Sequence, residues 1–159
     1  EPLKDVSDKG FPNECQVAEA ANGDVVLISR NQGGDKFRRK AVGRDGGETW
    51  GSIDIDRGLP SVACMGSLMK GPFKEDGSWD LWASFPSAAG RKNGQIAVSS
   101  DHGKTWRIAK VIGGPFAYSA LQVSPDQKSL LLQYESEGYR TQTLLTIPFD
   151  ELNPERSTK

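Results

Sequence analysis

Histidine and cysteine are scarce in this 159-residue chain, which contains one histidine, His102, and two cysteines, Cys15 and Cys64. The sequence has no Cys-x-x-Cys pair and no cluster of histidine and cysteine, so it argues against a metal site built on these ligands. Two cysteines leave open whether they pair in an oxidising compartment or remain reduced.

Long apolar runs and an excess of charge of one sign are also lacking. No apolar stretch approaches the roughly 20 residues that a membrane-spanning helix needs. The net charge is −1, so neither a nucleic acid nor an anionic membrane surface is predicted as a partner. One short basic run, formed by Lys36, Arg38, Arg39 and Lys40, lies just before a turn. We expect it to be a solvated strand face.

Glycine and proline, by contrast, are abundant, with 18 and 9 residues, as is typical of many short strands joined by turns. Strand patterns follow turn sequences at Gly23–Arg30, Asp80–Phe85, Gly94–Ser100, Ser129–Glu135 and Thr141–Phe149. No apolar pattern with a helical period extends beyond about 10 residues. The sequence therefore predicts an all-β protein.

Two stretches repeat, "GRDGGETW" (Gly43–Trp50) and "SSDHGKTW" (Ser99–Trp106), with aspartates 56 residues apart. This spacing suits one four-stranded blade of a β-propeller, which needs roughly 40–50 residues or a little more. In such a turn aspartate accepts backbone N–H bonds, glycine adopts positive φ, and tryptophan packs onto a neighbour. We therefore assign structural roles to Asp45, Gly47, Trp50, Asp101, Gly103 and Trp106.

The repeat resembles the Asp box, Ser-x-Asp-x-Gly-x-Thr-Trp, of the sialidases (neuraminidases), with Gly43 replacing the serine in the first copy. Three further stretches resemble sialidase segments: "NECQVAEAANGDVVLISRNQ", "SFPSAAGRKNGQIAVSSDHGKTW", and "GPFAYSALQ" followed by "LLLQYESEG". Non-catalytic propellers also carry Asp boxes. These three stretches, rather than the boxes, favour an enzyme.

The resemblance implies a set of site residues. Tyr118 would be the nucleophile, Glu14 its base, and Arg30 and Arg91 would bind the carboxylate of the substrate, with Glu135 in a supporting position. Taken singly, such residues are more typical of a strand aromatic, solvated carboxylates or surface arginines. Their order and spacing together carry the assignment.

The chemistry of sialic acid explains why a tyrosine suits this role. The sugar carries a carboxylate on its anomeric carbon, and a carboxylate nucleophile about 4 Å away would be repelled by about 4 kcal/mol at an effective dielectric constant of 20. A neutral phenol avoids this repulsion, and sialidases are a recognised exception to the two-carboxylate scheme of glycosidases. A free phenol has a pKa of about 10, so it needs a base in contact. Small residues around Tyr118 (Ala117, Ser119 and Ala120) would leave room for the sugar ring.

The family fold is a six-bladed propeller, of which residues 1–159 would form about three blades, the C-terminal part. The first substrate-binding arginine of the family, in an Arg-Ile-Pro stretch, and its acid/base aspartate have no matching context here. Glu135, which holds that arginine in the family, would then take up a proton or remain in water. We expect the chain to need the missing N-terminal blades as its partner and to be inactive alone.

The resemblance thus predicts an exo-α-sialidase, a retaining glycosidase that releases terminal sialic acid from glycoconjugates and needs no cofactor. It favours a secreted, extracellular or lysosomal protein over a cytoplasmic one. Three alternatives remain open: a trans-sialidase or an enzyme for another nine-carbon acid sugar, a non-catalytic Asp-box propeller that binds sugar or protein, and a structural repeat domain without a ligand.

Overall fold

The computed structural model describes residues 12–152, which form three antiparallel sheets and eleven strands. The first sheet contains β1 (Pro12–Glu19), β2 (Val25–Asn31), β3 (Phe37–Gly43) and β4 (Asp54–Pro60). The second contains β5 (Ser67–Lys70), β6 (Leu81–Phe85), β7 (Lys92–Ser99) and β8 (Arg107–Pro115). The third contains β9 (Ser119–Val123), β10 (Ser129–Ser136) and β11 (Thr141–Pro148), followed by a one-turn helix, α1 (Phe149–Leu152).

Within each sheet the strands pair in chain order, so that every sheet is an up-and-down meander like a propeller blade. The all-β prediction is confirmed. The five strands predicted from the sequence correspond to β2, β6, β7, β10 and β11. The other six strands carry more polar residues, and their period-two patterns are weaker.

The second sheet lies between the other two, and β6 shows this most clearly because all five of its residues are buried. Side chains on a strand alternate between the two faces of the sheet. Leu81 and Phe85 pack into an apolar cluster with the first sheet, whereas Trp82 packs into a second cluster with the third sheet. A strand covered on both faces therefore reads as a continuous apolar run.

Both Asp boxes form the same hydrogen-bonded turn. In the first, the Thr49 N–H donates to Asp45 Oδ1 at 2.9 Å and the Thr49 hydroxyl donates to Oδ2 at 2.6 Å. In the second, Thr105 makes the same two bonds to Asp101, again at 2.9 and 2.6 Å. The glycine two positions after each aspartate has a positive φ, 88° and 79°, which a residue with a Cβ adopts only at a cost.

The second box has additional hydrogen bonds because it has a serine where the first box has Gly43. The Ser99 hydroxyl donates to Asp101 Oδ1 at 2.8 Å and accepts the N–H of Gly103 at 2.9 Å. Burial raises the pKa of Asp101, but the hydrogen bonds from Thr105 and Ser99 outweigh it and lower the pKa to about 2.

A buried carboxylate, Asp56, joins the first two sheets. Its Oδ2 atom accepts the Trp106 indole N–H at 3.1 Å and pairs with Lys40 Nζ at 3.0 Å, while its Oδ1 atom accepts the Gly58 N–H at 3.0 Å. Lys40 also donates to the carbonyl of Gly103 at 2.7 Å. Strands β3 and β4 are thereby bonded to the Asp box of the next sheet.

The second and third sheets are joined by smaller polar groups. The hydroxyls of Ser84 and Ser119 lie 2.8 Å apart, and the Ser67 hydroxyl accepts the Leu121 N–H at 3.1 Å. All three serines are buried. These bonds fix the start of β9, the strand that follows Tyr118.

The expectation of a solvated basic face was wrong for its two arginines, although Lys36 is exposed. Arg38 and Arg39 are only 2% and 0% exposed, because β3 is covered on both faces. Arg39 pairs with Asp35 at 2.7 Å, and Arg38 donates to the carbonyl of Cys64 at 2.9 Å. Burial lowers the pKa of Arg38 to about 10. A run of charged residues usually indicates exposure, and only the fold shows that partners for these charges lie inside.

We expect Asp56→Ala to lower the free energy of unfolding by about 3 kcal/mol, because it leaves the Trp106 N–H without its acceptor and the Lys40 ammonium without its ion-pair partner. Urea denaturation of the purified chain measures this change. Asp54→Ala, on the exposed end of the same strand, is the control and should cost less than about 1 kcal/mol. Equal losses in the two variants would contradict the role of Asp56 as a joint.

Asp101 gives the stability a defined dependence on pH. Because its pKa is lower in the folded chain than in the unfolded chain, its contribution is present above about pH 4 and is lost as the pH falls toward 2. Asp101→Asn should therefore reduce stability at pH 7 and flatten the decline between pH 4 and 2. Thermal unfolding at several pH values tests this, with Asp150→Asn as the control. A decline as steep as that of the wild type would be the contrary result.

Candidate active site

Four residues predicted from the sequence meet at one end of the three sheets. Glu14 lies near the start of β1, Arg30 near the end of β2, Arg91 just before β7 and Tyr118 just before β9. Antiparallel pairing places the start of β1 beside the end of β2. The hydrogen bonds between neighbouring sheets then bring Arg91 and Tyr118 to the same end.

Three of these side chains form a closed triangle of polar contacts. Arg30 Nη1 donates to Glu14 Oε2 at 2.7 Å and to the Tyr118 hydroxyl oxygen at 3.1 Å, and that hydroxyl donates to Glu14 Oε1 at 3.1 Å. The Arg30 side chain is 13% exposed and that of Glu14 is 32% exposed. The hydrogen bond to Glu14 raises the pKa of Arg30. A carboxylate thus contacts the phenol proton, and a cation contacts the phenol oxygen.

A β-bulge directs Glu14 into this triangle. The register of β1 against β2 shifts between Asn13 and Cys15, and Glu14 between them has a φ of 45°. A bulge inserts an extra residue into one strand and changes the direction of its side chain. Regular pairing would have made Glu14 an ordinary member of an alternating strand.

Tyr118 is fixed by the backbone of β10. The Glu135 N–H donates to the Tyr118 carbonyl at 2.9 Å, and the Ala117 N–H donates to the Glu135 carbonyl at 3.0 Å. Just before this turn, the buried ring of Phe116 stacks on Tyr134 with the ring centroids 4.5 Å apart. The glycine- and proline-containing end of β8 lets the chain reverse here, and the buried ring anchors it.

Arg91 approaches Tyr118 from the second sheet. Its guanidinium lies 5.3 Å from the centre of the Tyr118 ring, a cation–π distance. Its Nη2 donates to the Ala63 carbonyl at 3.3 Å and its Nη1 donates to the hydroxyl of Tyr139. Tyr139 was not singled out in the sequence, because no motif marks it.

Glu135 lies in a cleft of about 280 Å³ together with Tyr118, Met65 and Ser119. Its Oε2 atom is buried, and no group among residues 12–152 donates a hydrogen bond to it. A buried carboxylate oxygen without a donor is costly. This oxygen therefore indicates a place where a hydrogen-bond donor can be accommodated.

A comparison with known proteins relates this arrangement to a family. No protein-family model matches the chain. A sialidase from Micromonospora viridifaciens is 34% identical to it over 134 residues, which are 80% of this chain and 21% of that protein. The chain is a relative of the sialidases. The chain matches about a fifth of the length of that relative.

Solved structures show the same fold. A leech intramolecular trans-sialidase superposes on the chain with a TM-score of 0.73 and 20% identity, over 96% of this chain and 26% of the other. An α-L-arabinofuranosidase from Fusarium graminearum gives a TM-score of 0.67 and 16% identity, over 95% and 48% of the two chains. The predicted sialidase resemblance and the prediction of a partial propeller are confirmed. The fold is shared by enzymes for different sugars, so it does not by itself identify the substrate.

Both cysteines of the chain are free thiols, Cys15 exposed and Cys64 buried. Burial raises the pKa of the Cys64 thiol. Among the described residues no three His, Cys, Asp or Glu side chains are placed to hold a metal ion. No helix between residues 12 and 152 has the length and apolar character required to cross a bilayer.

The two thiols should differ in reactivity. Iodoacetamide at pH 8 should alkylate Cys15 of the folded chain at least about tenfold faster than Cys64, because burial removes access and disfavours the thiolate. Peptide mapping by mass spectrometry measures both rates in one sample. In urea the two rates should converge. Equal rates in the folded chain would contradict the burial of Cys64.

Proposed function

We propose that the chain supplies the nucleophile, its base and two carboxylate-binding arginines to an exo-α-sialidase that releases terminal sialic acid from glycoconjugates. The triangle of Tyr118, Glu14 and Arg30 is the observation that carries this proposal. A general base must lie within hydrogen-bond reach of the proton that it removes, and the contact between Tyr118 and Glu14 meets this requirement. The identity to a sialidase supports the same conclusion.

In the proposed first step, the phenol proton moves to Glu14 as the Tyr118 oxygen forms a bond to the anomeric carbon and the leaving-group oxygen departs. The leaving group must receive a proton from an acid, which in this family is an aspartate. In the second step, water displaces the tyrosine and gives a proton to the acid of the first step, which now acts as a base, while the phenol regains its proton from Glu14. Two displacements at one carbon retain its configuration.

The arginines are suited to a carboxylate. Arg30 and Arg91 both contact Tyr118, one at its oxygen and one over its ring. The bonds of Arg30 to Glu14 and Tyr118 both come from Nη1, and a guanidinium has five N–H groups, so further donors remain for an anion. Charge-assisted, bidentate contacts of this kind orient as well as bind.

We also propose that the buried oxygen of Glu135 accepts a hydrogen bond from an arginine outside residues 12–152. The sialidase resemblance suggests this role, and the cleft beside Tyr118 supports it. That arginine and the acid/base aspartate have no matching context within this chain. The 159-residue chain alone is therefore not expected to turn over substrate, and multiple turnovers by the pure chain would contradict this.

Tyr118→Phe tests the nucleophile. The test protein is the Micromonospora sialidase in which this chain replaces the matching segment. The variant should lose at least about a thousandfold in kcat, because a phenyl ring has no oxygen to attack with. The Kd for sialic acid should change less than about threefold, because the arginines remain.

Tyr134→Phe is the matched control, since it removes the hydroxyl of a buried tyrosine in β10. Its kcat should stay within about twofold of that of the parent protein. A Tyr118→Phe protein that retains kcat would refute the assignment, whereas an equal loss in both variants would indicate a general structural defect.

A further inference from the structure

The guanidinium of Arg91 lies within cation–π distance of two tyrosine rings. Its carbon is 5.3 Å from the centre of the Tyr118 ring and 5.6 Å from that of Tyr139. Tyr139 also accepts a hydrogen bond from Arg91 Nη1 through its hydroxyl, and the Ala63 carbonyl accepts one from Nη2. Arg91 is thus restrained by two neighbouring rings and at two of its nitrogens.

Tyr139 lies in an unusual turn between β10 and β11. Three successive residues, Glu137, Gly138 and Tyr139, have positive φ values of 47°, 65° and 70°. For residues other than glycine this conformation is costly, and it persists where other contacts hold it. Tyr139 is nevertheless 53% exposed, so burial of its ring does not account for the turn.

We propose that Tyr139 is a positioning residue, which holds the Arg91 guanidinium against the face of Tyr118 so that it can bind the carboxylate of the substrate. This inference rests on the proposed sialidase function and extends it to a residue without a recognised motif. It also assigns a role to the strained turn. The turn places the ring and the hydroxyl of Tyr139 on Arg91.

The hydrogen-bond count is consistent with this role. A guanidinium has five N–H groups, and the bonds to Tyr139 and Ala63 use two of them. The remaining donors suffice for a bidentate carboxylate. Burial lowers the pKa of Arg91, but the hydrogen bond to Tyr139, together with neighbouring thiol and phenol groups, raises it above its ordinary value. Tyr139 therefore restrains the cation without neutralising it.

Two variants separate the ring of Tyr139 from its hydroxyl. Tyr139→Phe keeps the ring over Arg91 and removes the acceptor, whereas Tyr139→Ala removes both. Leu144→Ala is the control, because it shortens an exposed apolar side chain in the same hairpin. All measurements use the complete 159-residue chain.

The first measurement requires no ligand. Phenylglyoxal modifies accessible arginines, and peptide mapping gives the rate at Arg91 relative to the exposed Arg44. The rate at Arg91 should rise about tenfold in Tyr139→Ala and about threefold in Tyr139→Phe, and should be unchanged in Leu144→Ala. An unchanged rate in both Tyr139 variants would overturn the proposal, whatever the chain binds.

The second measurement compares sialic acid with its methyl ester, which lacks the negative charge. NMR titration should show that the wild-type chain prefers the acid. Tyr139→Ala should bind the acid about tenfold more weakly and the ester within twofold of the wild type. A loss of structure would weaken the binding of both ligands, so it can be distinguished from a loss of carboxylate binding alone.

The outcomes also separate the two proposals. If the wild-type chain does not prefer the acid, the sialidase function proposed for Arg30 and Arg91 fails, and the carboxylate-binding role of Tyr139 fails with it. If the wild type prefers the acid and Tyr139→Ala retains that preference, the sialidase proposal stands and the role of Tyr139 is overturned.

Discussion

The carboxylate of Asp56 determines how the first two sheets are placed, and the candidate site depends on that placement. Glu14 and Arg30 come from the first sheet, Arg91 from the second and Tyr118 from the edge of the third. Apolar packing between sheets supplies most of the driving force but is not directional. Hydrogen bonds have preferred distances and angles, so the buried polar joints set the relative positions of side chains from different sheets.

The site itself is an arrangement of charges in which each group constrains its neighbours. Arg30 compensates the negative charge of Glu14, and Glu14 accepts a hydrogen bond from the Tyr118 hydroxyl. The ring of Tyr118 in turn lies at a cation–π distance from Arg91. Removing any one leaves another partly buried group without a partner, which is costly in a poorly solvated position. The same groups that hold the geometry are therefore those that the proposed chemistry uses.

Interactions between residues that are close in the sequence made part of this structure predictable. The Asp boxes could be read from the sequence because their hydrogen bonds connect residues four apart. Tyr118 and Glu14 were found only through the family resemblance, since their contact joins residues 104 apart. No pattern in the sequence indicated the bulge at Glu14 or the contact between Arg91 and Tyr139. The burial of Arg38 was opposite to expectation, because composition reports charge but not the partners that a fold supplies.

The backbone at Glu14 also bears on how this position can change over time. Glycine would adopt a φ of 45° without the steric penalty that Glu14 incurs. At this position an unstrained backbone favours glycine, whereas the carboxylate requires glutamate. A population free of selection for catalysis would be expected to accumulate glycine or asparagine there and become more stable. Under the proposed role of Glu14 as the base, its carboxylate is obtained at the cost of backbone strain.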